Sequence, residues 1–345
     1  MDDPAAMSVP GRMQAVAVRA YGPGFDGLAL AERPVLSPID DQVLVRVTAS
    51  PINPSDLSFV QGQYGVRKPL PAVAGFEAAG LVVAAGEGAA AQGLLGKRVA
   101  ALSGGNADGA WAEYMLASAA FCVPVPDDIG DDAAASLIIN PFTAWALVGL
   151  ARAAGTKALV QTAAGSALGR MIQRLAAAHG IACINVVRRP EQVDALVKAG
   201  MAPTLFSGAA DFDAQLGTLC KTLDARIAVD AVGGALTGRV ARALRPGGRV
   251  IVYGGLSGEE PRIGVDQLIF RDKKLEGFWL SSWLPGRSAD ELAKLAIEIP
   301  ALARDTLSTV TRARYPLARF REALTDYAGQ MSGGKVLFVP QAAAL

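Results

Sequence analysis

Two adjacent arginines, Arg188 and Arg189, close a stretch with the layout of a dinucleotide site. Upstream lies a run of small residues, Ala164-Gly165-Ser166-Ala167-Leu168-Gly169, preceded by the apolar Ala158-Leu159-Val160-Gln161. The run leads into a segment that reads as a helix to about residue 180. Phosphates bind backbone N–H groups at helix N-termini, and small residues let a pyrophosphate come close. This run is a degraded G-x-G-x-x-G, with Ala164 and Ser166 in two of the glycine slots. Alone it fits a plain turn of any doubly wound sheet equally well. The next strand, 182–187, runs to the place where NAD sites carry an acidic residue for the ribose 2′-hydroxyl. Here that place holds Arg188-Arg189. A carboxylate would repel a 2′-phosphate, whereas guanidinium groups bind it through charge-assisted hydrogen bonds. The pair points to NADPH, against the plainer reading of two solvated arginines before a helix.

Other chemistries lack their residues. The one histidine, His179, sits at a helix end, and the three cysteines, Cys122, Cys183 and Cys220, are far apart. Neither a three-ligand catalytic zinc nor a Ser/His/Asp triad can be assembled from such spacing, so no metal is expected. Separated cysteines also suit a reducing compartment, and a cytoplasmic location is expected. Formal net charge is +1, which gives no electrostatic footprint for nucleic acid or anionic lipid. The uncharged run 133–151 is interrupted by Asn140-Pro141 and reads as buried rather than membrane-spanning.

The elements that must position these groups follow from length and pattern. At 345 residues with 51% hydrophobic, the chain is long enough for two domains with large cores. Val43, Val45 and Val47 alternate with Leu44, Arg46 and Thr48 as in a half-buried strand, and turns recur around 21–24, 50–51, 86–88 and 103–106. That rhythm predicts a small β-rich domain, left through the hinge Val123-Pro124-Val125-Pro126. The middle alternates strand and helix: helices over 190–199, 211–221, 235–244 and 289–298, strands over 227–230, 250–253 and 275–280. Such alternation predicts an α/β fold with a doubly wound parallel Rossmann sheet. The tail from about 306, ending in a strand over 335–339, is expected to return to the β-rich domain.

The runs Ile52-Asn53-Pro54-Ser55-Asp56-Leu57, Gln61-Gly62-Gln63-Tyr64-Gly65, Gly75-Phe76-Glu77 and Asn140-Pro141-Phe142-Thr143-Ala144-Trp145 resemble the medium-chain dehydrogenase/reductase superfamily from about Met13 onward. Zinc members of that superfamily carry Gly-His-Glu at residues 75–77 and a cysteine near Asn53, so the resemblance falls on the zinc-independent side. Within it, Asn53-Pro54-Ser55-Asp56, Ile184-Asn185-Val186-Val187-Arg188 and Gly277-Phe278-Trp279-Leu280-Ser281 are most similar to the mitochondrial-type 2-enoyl thioester reductases, and next to quinone oxidoreductases. The turn departs from that pattern, closing on Ala167-Leu168-Gly169 where those reductases close on Gly-Val-Gly.

The resemblance implies a GroES-like catalytic domain over 13–125 and 305–345 and a Rossmann domain over 126–304. It implies NADPH-dependent reduction of the C=C bond of an enoyl-CoA or an enoyl group on acyl carrier protein, with a quinone or alkenal as the alternative acceptor. A non-catalytic NADPH-binding protein is the alternative of another class. Tyr64 matches the catalytic tyrosine; Asn53 and Trp279 are candidates for the substrate. Asn140, Thr143, Ser166, Ala167, Leu168, Gly169, Arg188, Arg189, Tyr253, Gly254, Gly255, Leu256, Phe278, Trp279, Leu280 and Lys335 match cofactor-contacting positions. A homodimer is implied as well, with no nucleic-acid or membrane partner expected.

Overall fold

The structure is a computed structural model that describes residues 9–103 and 108–340. Most of the expected turn at 103–106 lies outside the described residues. The chain divides into two compact units. The first holds Met1–Ile139, Ala296–Arg304 and Ser308–Leu345, and the second Asn140–Leu295 with Asp305–Leu307.

The first unit carries β1 (Arg12–Val18), β2 (Leu28–Pro34), β3 (Gln42–Pro51), β4 (Ala72–Val73), β5 (Glu77–Ala85), β6 (Arg98–Leu102), β7 (Tyr114–Ser118) and β8 (Cys122–Pro124). In the second unit are β9 (Ala158–Gln161), β10 (Ala182–Val187), β11 (Thr204–Phe206), β12 (Ile227–Asp230), β13 (Arg249–Val252) and β14 (Lys274–Gly277). The tail returns to the first unit with β15 (Thr311–Tyr315) and β16 (Lys335–Phe338), as β16 pairs antiparallel with β3.

In the first unit, β2-β1-β4 form one antiparallel sheet, and β15-β16-β3-β5-β6-β8 with β7 on β3 form a second, which is antiparallel except for the parallel pair β15-β16. Val43, Val45 and Val47 on β3 are fully buried, while Arg46 and Thr48 stay half-buried, as the alternation predicted. Leu44 departs from that pattern and is also buried. Trp111, Phe59, Ile52 and Phe338 fill the neighbouring core, with Trp111 edge-on to Phe338 at 5.1 Å. Full burial of each such side chain stabilises by about 1.5–3 kcal/mol. Gly75, at φ +90, backs onto Trp111: an added Cβ would lie 2.4 Å from Trp111 Cδ1. No other residue fits there without displacing the indole.

The second unit is a six-stranded, all-parallel sheet in the order β11-β10-β9-β12-β13-β14. The chain winds outward from β9 to β11, then crosses back to β12, so strand order reverses beside β9. Ligands of open α/β sheets bind outside the carboxyl ends of the strands at such a reversal. β11 answers to no predicted strand. The final strand is shorter than predicted: Trp279 already caps the short helix Leu280–Trp283. The uncharged run 133–151 covers the last three residues of the helix Asp131–Ala135 and most of Ile139–Ala153, with Pro141 in the first turn of the second, where a missing N–H costs little. Among the described residues, no helix is long and apolar enough to cross a membrane.

Candidate functional site

The small-residue turn joins β9 to the helix Ala167–Ala178. Ser166 is its N-cap, with Oγ accepting from Gly169 N at 3.0 Å. The first N–H groups of a helix have no partner within it, so this end is suited to a phosphate. Gly169 is sterically required: an added Cβ would lie 2.6 Å from Ala164 O and 2.8 Å from Ala164 Cα. It therefore performs the close helix-to-turn packing of the third glycine in the dinucleotide pattern. Ala164 fits fully buried, and Ala163 bends the turn at φ +50.

The arginines lie where the sequence put them, directly after β10. Arg188 is exposed; Arg189 is half-buried and pairs with Glu191 at 3.3 Å. Gln192 ties this corner to the turn. Its Oε1 accepts from Arg189 N at 3.2 Å, and its Nε2 lies 3.1 Å from where a Cβ of Gly165 would be. Because the sheet is parallel, the loops after β9, β10, β12, β13 and β14 all leave from one edge. That edge gathers Ser166, Ala167, Leu168 and Gly169, then Arg188 and Arg189, then Tyr253, Gly254, Gly255 and Leu256, then Phe278, Trp279 and Leu280. Trp279 is 38% exposed and Leu256 44%, so both offer apolar surface to a ligand. Asn140 and Thr143 stand in the first two turns of Ile139–Ala153 and are buried. Small residues at the turn, an open helix start and two successive arginines after β10 fit a phosphorylated dinucleotide.

Sequence reasoning passed over the buried polar groups that hold this edge. Asp230, at the end of β12, accepts from Thr162 Oγ1 at 2.7 Å, Thr237 Oγ1 at 2.6 Å and Val232 N at 2.9 Å. Thr162 Oγ1 in turn accepts from Ala231 N at 2.9 Å. The turn after β9 is thereby locked to the loop after β12. Gln161 Nε2 donates to Asn185 Oδ1 at 2.6 Å and Gly169 O at 3.0 Å, joining two strands to the glycine that packs the turn. The available signal was a polar residue ending each apolar strand, since buried polar groups must find partners.

In the first unit, Tyr64 is half-buried and packs on Phe76, ring centroids 4.9 Å apart. It follows the helix Pro54–Val60 and the left-handed Gly62, φ +73. Asn53 caps that helix and is 1% exposed. Both ends of its amide are engaged: Nδ2 donates to Glu77 Oε1 at 2.9 Å, and Oδ1 accepts from Lys335 Nζ. Glu77 Oε2 accepts from Ile139 N at 2.9 Å and Ile138 N at 3.3 Å. Asp56 Oδ2 accepts from Asn53 N at 2.7 Å, the return half of a capping box. Lys335 is thus 3% exposed, with its amine turned to Asn53. Burial raises the Glu77 carboxyl above its usual range and lowers the Lys335 amine below its own.

Burial, with the Glu77 charge adding to it, pushes Asp56 up to about 7. A carboxyl with a raised folded-state pKa contributes stability that is fully present below its unfolded value of 3.8 and is lost as pH rises through about 7. Asp56→Asn keeps the acceptor for Asn53 N and cannot ionise. It is expected to raise the melting temperature by about 2–5 °C at pH 8. Calorimetry should find that gain shrinking toward pH 5; a pH-independent change would mean Asp56 does not titrate in this window.

Comparison with known proteins agrees with both units. A family model for the alcohol dehydrogenase GroES-like domain matches residues 39–127, and one for zinc-binding dehydrogenase matches 167–297. The mitochondrial enoyl-[acyl-carrier-protein] reductase of Mus musculus is 33% identical over 92% of this chain and 86% of its own length. Its Arabidopsis thaliana counterpart is 28% identical over 94% and 87%. A crystal structure of a putative NADPH:quinone reductase from Mesorhizobium loti superposes with TM-score 0.90 at 35% identity, covering 97% of this chain and all of that one. A mycobacterial protein solved with NADPH gives 0.81 at 26% identity, over 95% of this chain. Where zinc members of the family have a ligating histidine, this chain has Phe76. The chain belongs to the medium-chain dehydrogenase/reductase family, without that family's zinc motif, and is an oxidoreductase.

Proposed function

We propose that this oxidoreductase uses NADPH to reduce the C=C bond of a 2-enoyl thioester carried on CoA or on acyl carrier protein. The observation that carries the acceptor is Tyr64, set on a glycine-flanked loop in a chain one-third identical to an enoyl-[acyl-carrier-protein] reductase. Arg188 and Arg189, side by side after β10, support NADPH over NADH.

Bound NADPH supplies the hydride, which adds to the β-carbon of the acceptor. Negative charge then develops on the thioester oxygen, and a hydrogen-bond donor aimed there stabilises the enolate as it forms. Tyr64 is that donor in this reading: a phenol, with an ordinary pKa of about 10, keeps its proton at neutral pH. The same hydroxyl can deliver the proton to the α-carbon, so Tyr64 serves as enolate donor, proton source or both. On the cofactor side, Ser166 to Gly169 present the helix start to the pyrophosphate, and Arg188 with Arg189 hold the 2′-phosphate. Asn140, Thr143, Tyr253 to Leu256 and Phe278 to Leu280 complete the cofactor's surroundings in this proposal, with Trp279 also facing substrate. Asn53 and Lys335 act from behind, as a buried pair that fixes the helix leading to Tyr64.

A second acceptor has its own support. The Mesorhizobium loti protein, a putative NADPH:quinone reductase, is 35% identical to this chain. Consumption of NADPH across enoyl thioesters, enones and quinones separates the two acceptors. It also separates both from a non-catalytic NADPH-binding protein, which would bind the cofactor tightly and reduce none of them.

A homodimer belongs to the proposal. β14 is an edge strand whose far side has no strand neighbour among the described residues. Beside it in sequence, Val265, Ile269 and Phe270 on the helix Val265–Arg271 are 67%, 65% and 78% exposed, and Leu275 on β14 is 38% exposed. An open edge next to large exposed apolar side chains is a surface that proteins ordinarily cover. Phe270→Asp is expected to shift the protein to a monomer in light scattering; an unchanged mass would place the interface elsewhere.

A further inference from the structure

We propose that Tyr21 is the positioning residue for Tyr64. The inference rests on the reading of Tyr64 given above.

The loop bearing Tyr64 leaves its helix at Gly62, whose N–H donates to Phe59 O at 2.9 Å, and runs to Lys68. Tyr21 touches both ends of it. At the far end, its hydroxyl grips the main chain of one residue twice, accepting from Lys68 N at 2.9 Å and donating to Lys68 O at 3.0 Å. At the near end, the backbone of Gly62 lies directly on it: a Cβ on Gly62 would sit 3.0 Å from Tyr21 Cβ. Arg67 then closes the loop on itself. Its Nη2 donates to Gly62 O at 3.0 Å, while its guanidinium lies 5.8 Å from the Tyr21 ring centroid.

Tyr21 is itself held. Its ring meets Phe59 edge-on at 5.6 Å, and the next residue, Gly22, donates its N–H to Val60 O at 3.3 Å. Phe59 in turn meets Phe76 at 5.4 Å, and Phe76 carries the Tyr64 ring. One aromatic chain thus runs from Tyr21 to Tyr64, and the hydroxyl at its start pins the loop on which Tyr64 stands. The buried Lys68 amine, 5.8 Å from the Phe59 centroid and 6.0 Å from that of Phe76, is drawn into the same group by the grip on its main chain. Small displacements of a hydrogen-bond donor are costly to rate, so an anchor of this kind is felt at Tyr64 before it is felt in the fold.

The test is a double-mutant cycle. Tyr21→Phe keeps the ring contacts and removes both bonds to Lys68. It is expected to lower kcat about tenfold while KM for NADPH stays unchanged. In a Tyr64→Phe background the same change should cost less than about twofold, because the donor it positions is gone. Arg67→Ala, at an exposed side chain, loosens the loop from the other end and should show the same dependence on Tyr64. Equal losses in both backgrounds would overturn the proposal, as would a rise in KM for NADPH alone. Amide exchange across 62–68 is the arm that needs no turnover: Tyr21→Phe should speed it about tenfold or more at unchanged global stability. Unchanged exchange there overturns the proposal whatever acceptor the protein reduces. Failure of the acceptor reading looks different, as a wild-type protein that leaves enoyl thioesters untouched.

Discussion

Tyr64→Phe is expected to lower kcat for an enoyl-CoA by about 100-fold, with the NADPH dissociation constant unchanged within about twofold. The substitution removes one oxygen and leaves the ring on Phe76, so the core around Phe59 and Trp111 should stay packed. In the proposed mechanism, what is lost is a donor to charge that exists only as the hydride arrives. Such an interaction lowers kcat and kcat/KM together, whereas a tyrosine that merely packs on the substrate would raise KM. Steady-state kinetics on the two proteins separate these outcomes. A kcat within threefold of the wild type, roughly the spread expected of a packing change, would remove Tyr64 from the chemistry.

The second large effect concerns the cofactor. Replacing Arg188 and Arg189 together with alanine is expected to weaken NADPH binding by about 100-fold and NADH binding by no more than about threefold. The 2′-phosphate is all that distinguishes the two cofactors, and in the proposed function Arg188 and Arg189 are what this chain offers it. Stability should be untouched. Arg188 is exposed, and the Arg189–Glu191 pair joins side chains 42% and 68% exposed. Ion pairs in such solvent contribute about 0–1 kcal/mol. Titration by cofactor fluorescence reads both constants; equal weakening would mean the arginines only raise the local potential.

The parts of this molecule that were readable in its sequence are those set by short-range pattern. β9, β10 and β12 each show as an apolar run followed by a turn, and strand–helix alternation sufficed for a parallel sheet. β11 escaped because it is three residues, Thr204 to Phe206, directly after Pro203, too short to show a period. The last strand of that sheet was drawn three residues too long because Phe278 and Trp279 suit a strand by type, while the backbone turns there into a short helix. Long-range partnerships were not readable at all. Lys335 meets Asn53 across 282 positions, and Asp230 meets Thr162 across 68. In both cases a charged residue at the end of an apolar strand was the only local sign, and it names no partner. Tyr21 gave no sign of its own, since an aromatic in a glycine-rich turn reads as surface until the loop resting on it is seen.

The acceptor is the claim on which the most depends, and one measurement reaches it directly: kcat/KM of the wild-type protein for crotonyl-CoA and for a quinone, side by side, with NADPH as donor. The account predicts rapid NADPH oxidation with the enoyl thioester, at least about tenfold better than with the quinone, and a saturated acyl-CoA as product. Efficient turnover of the quinone with the enoyl thioester left intact would contradict it.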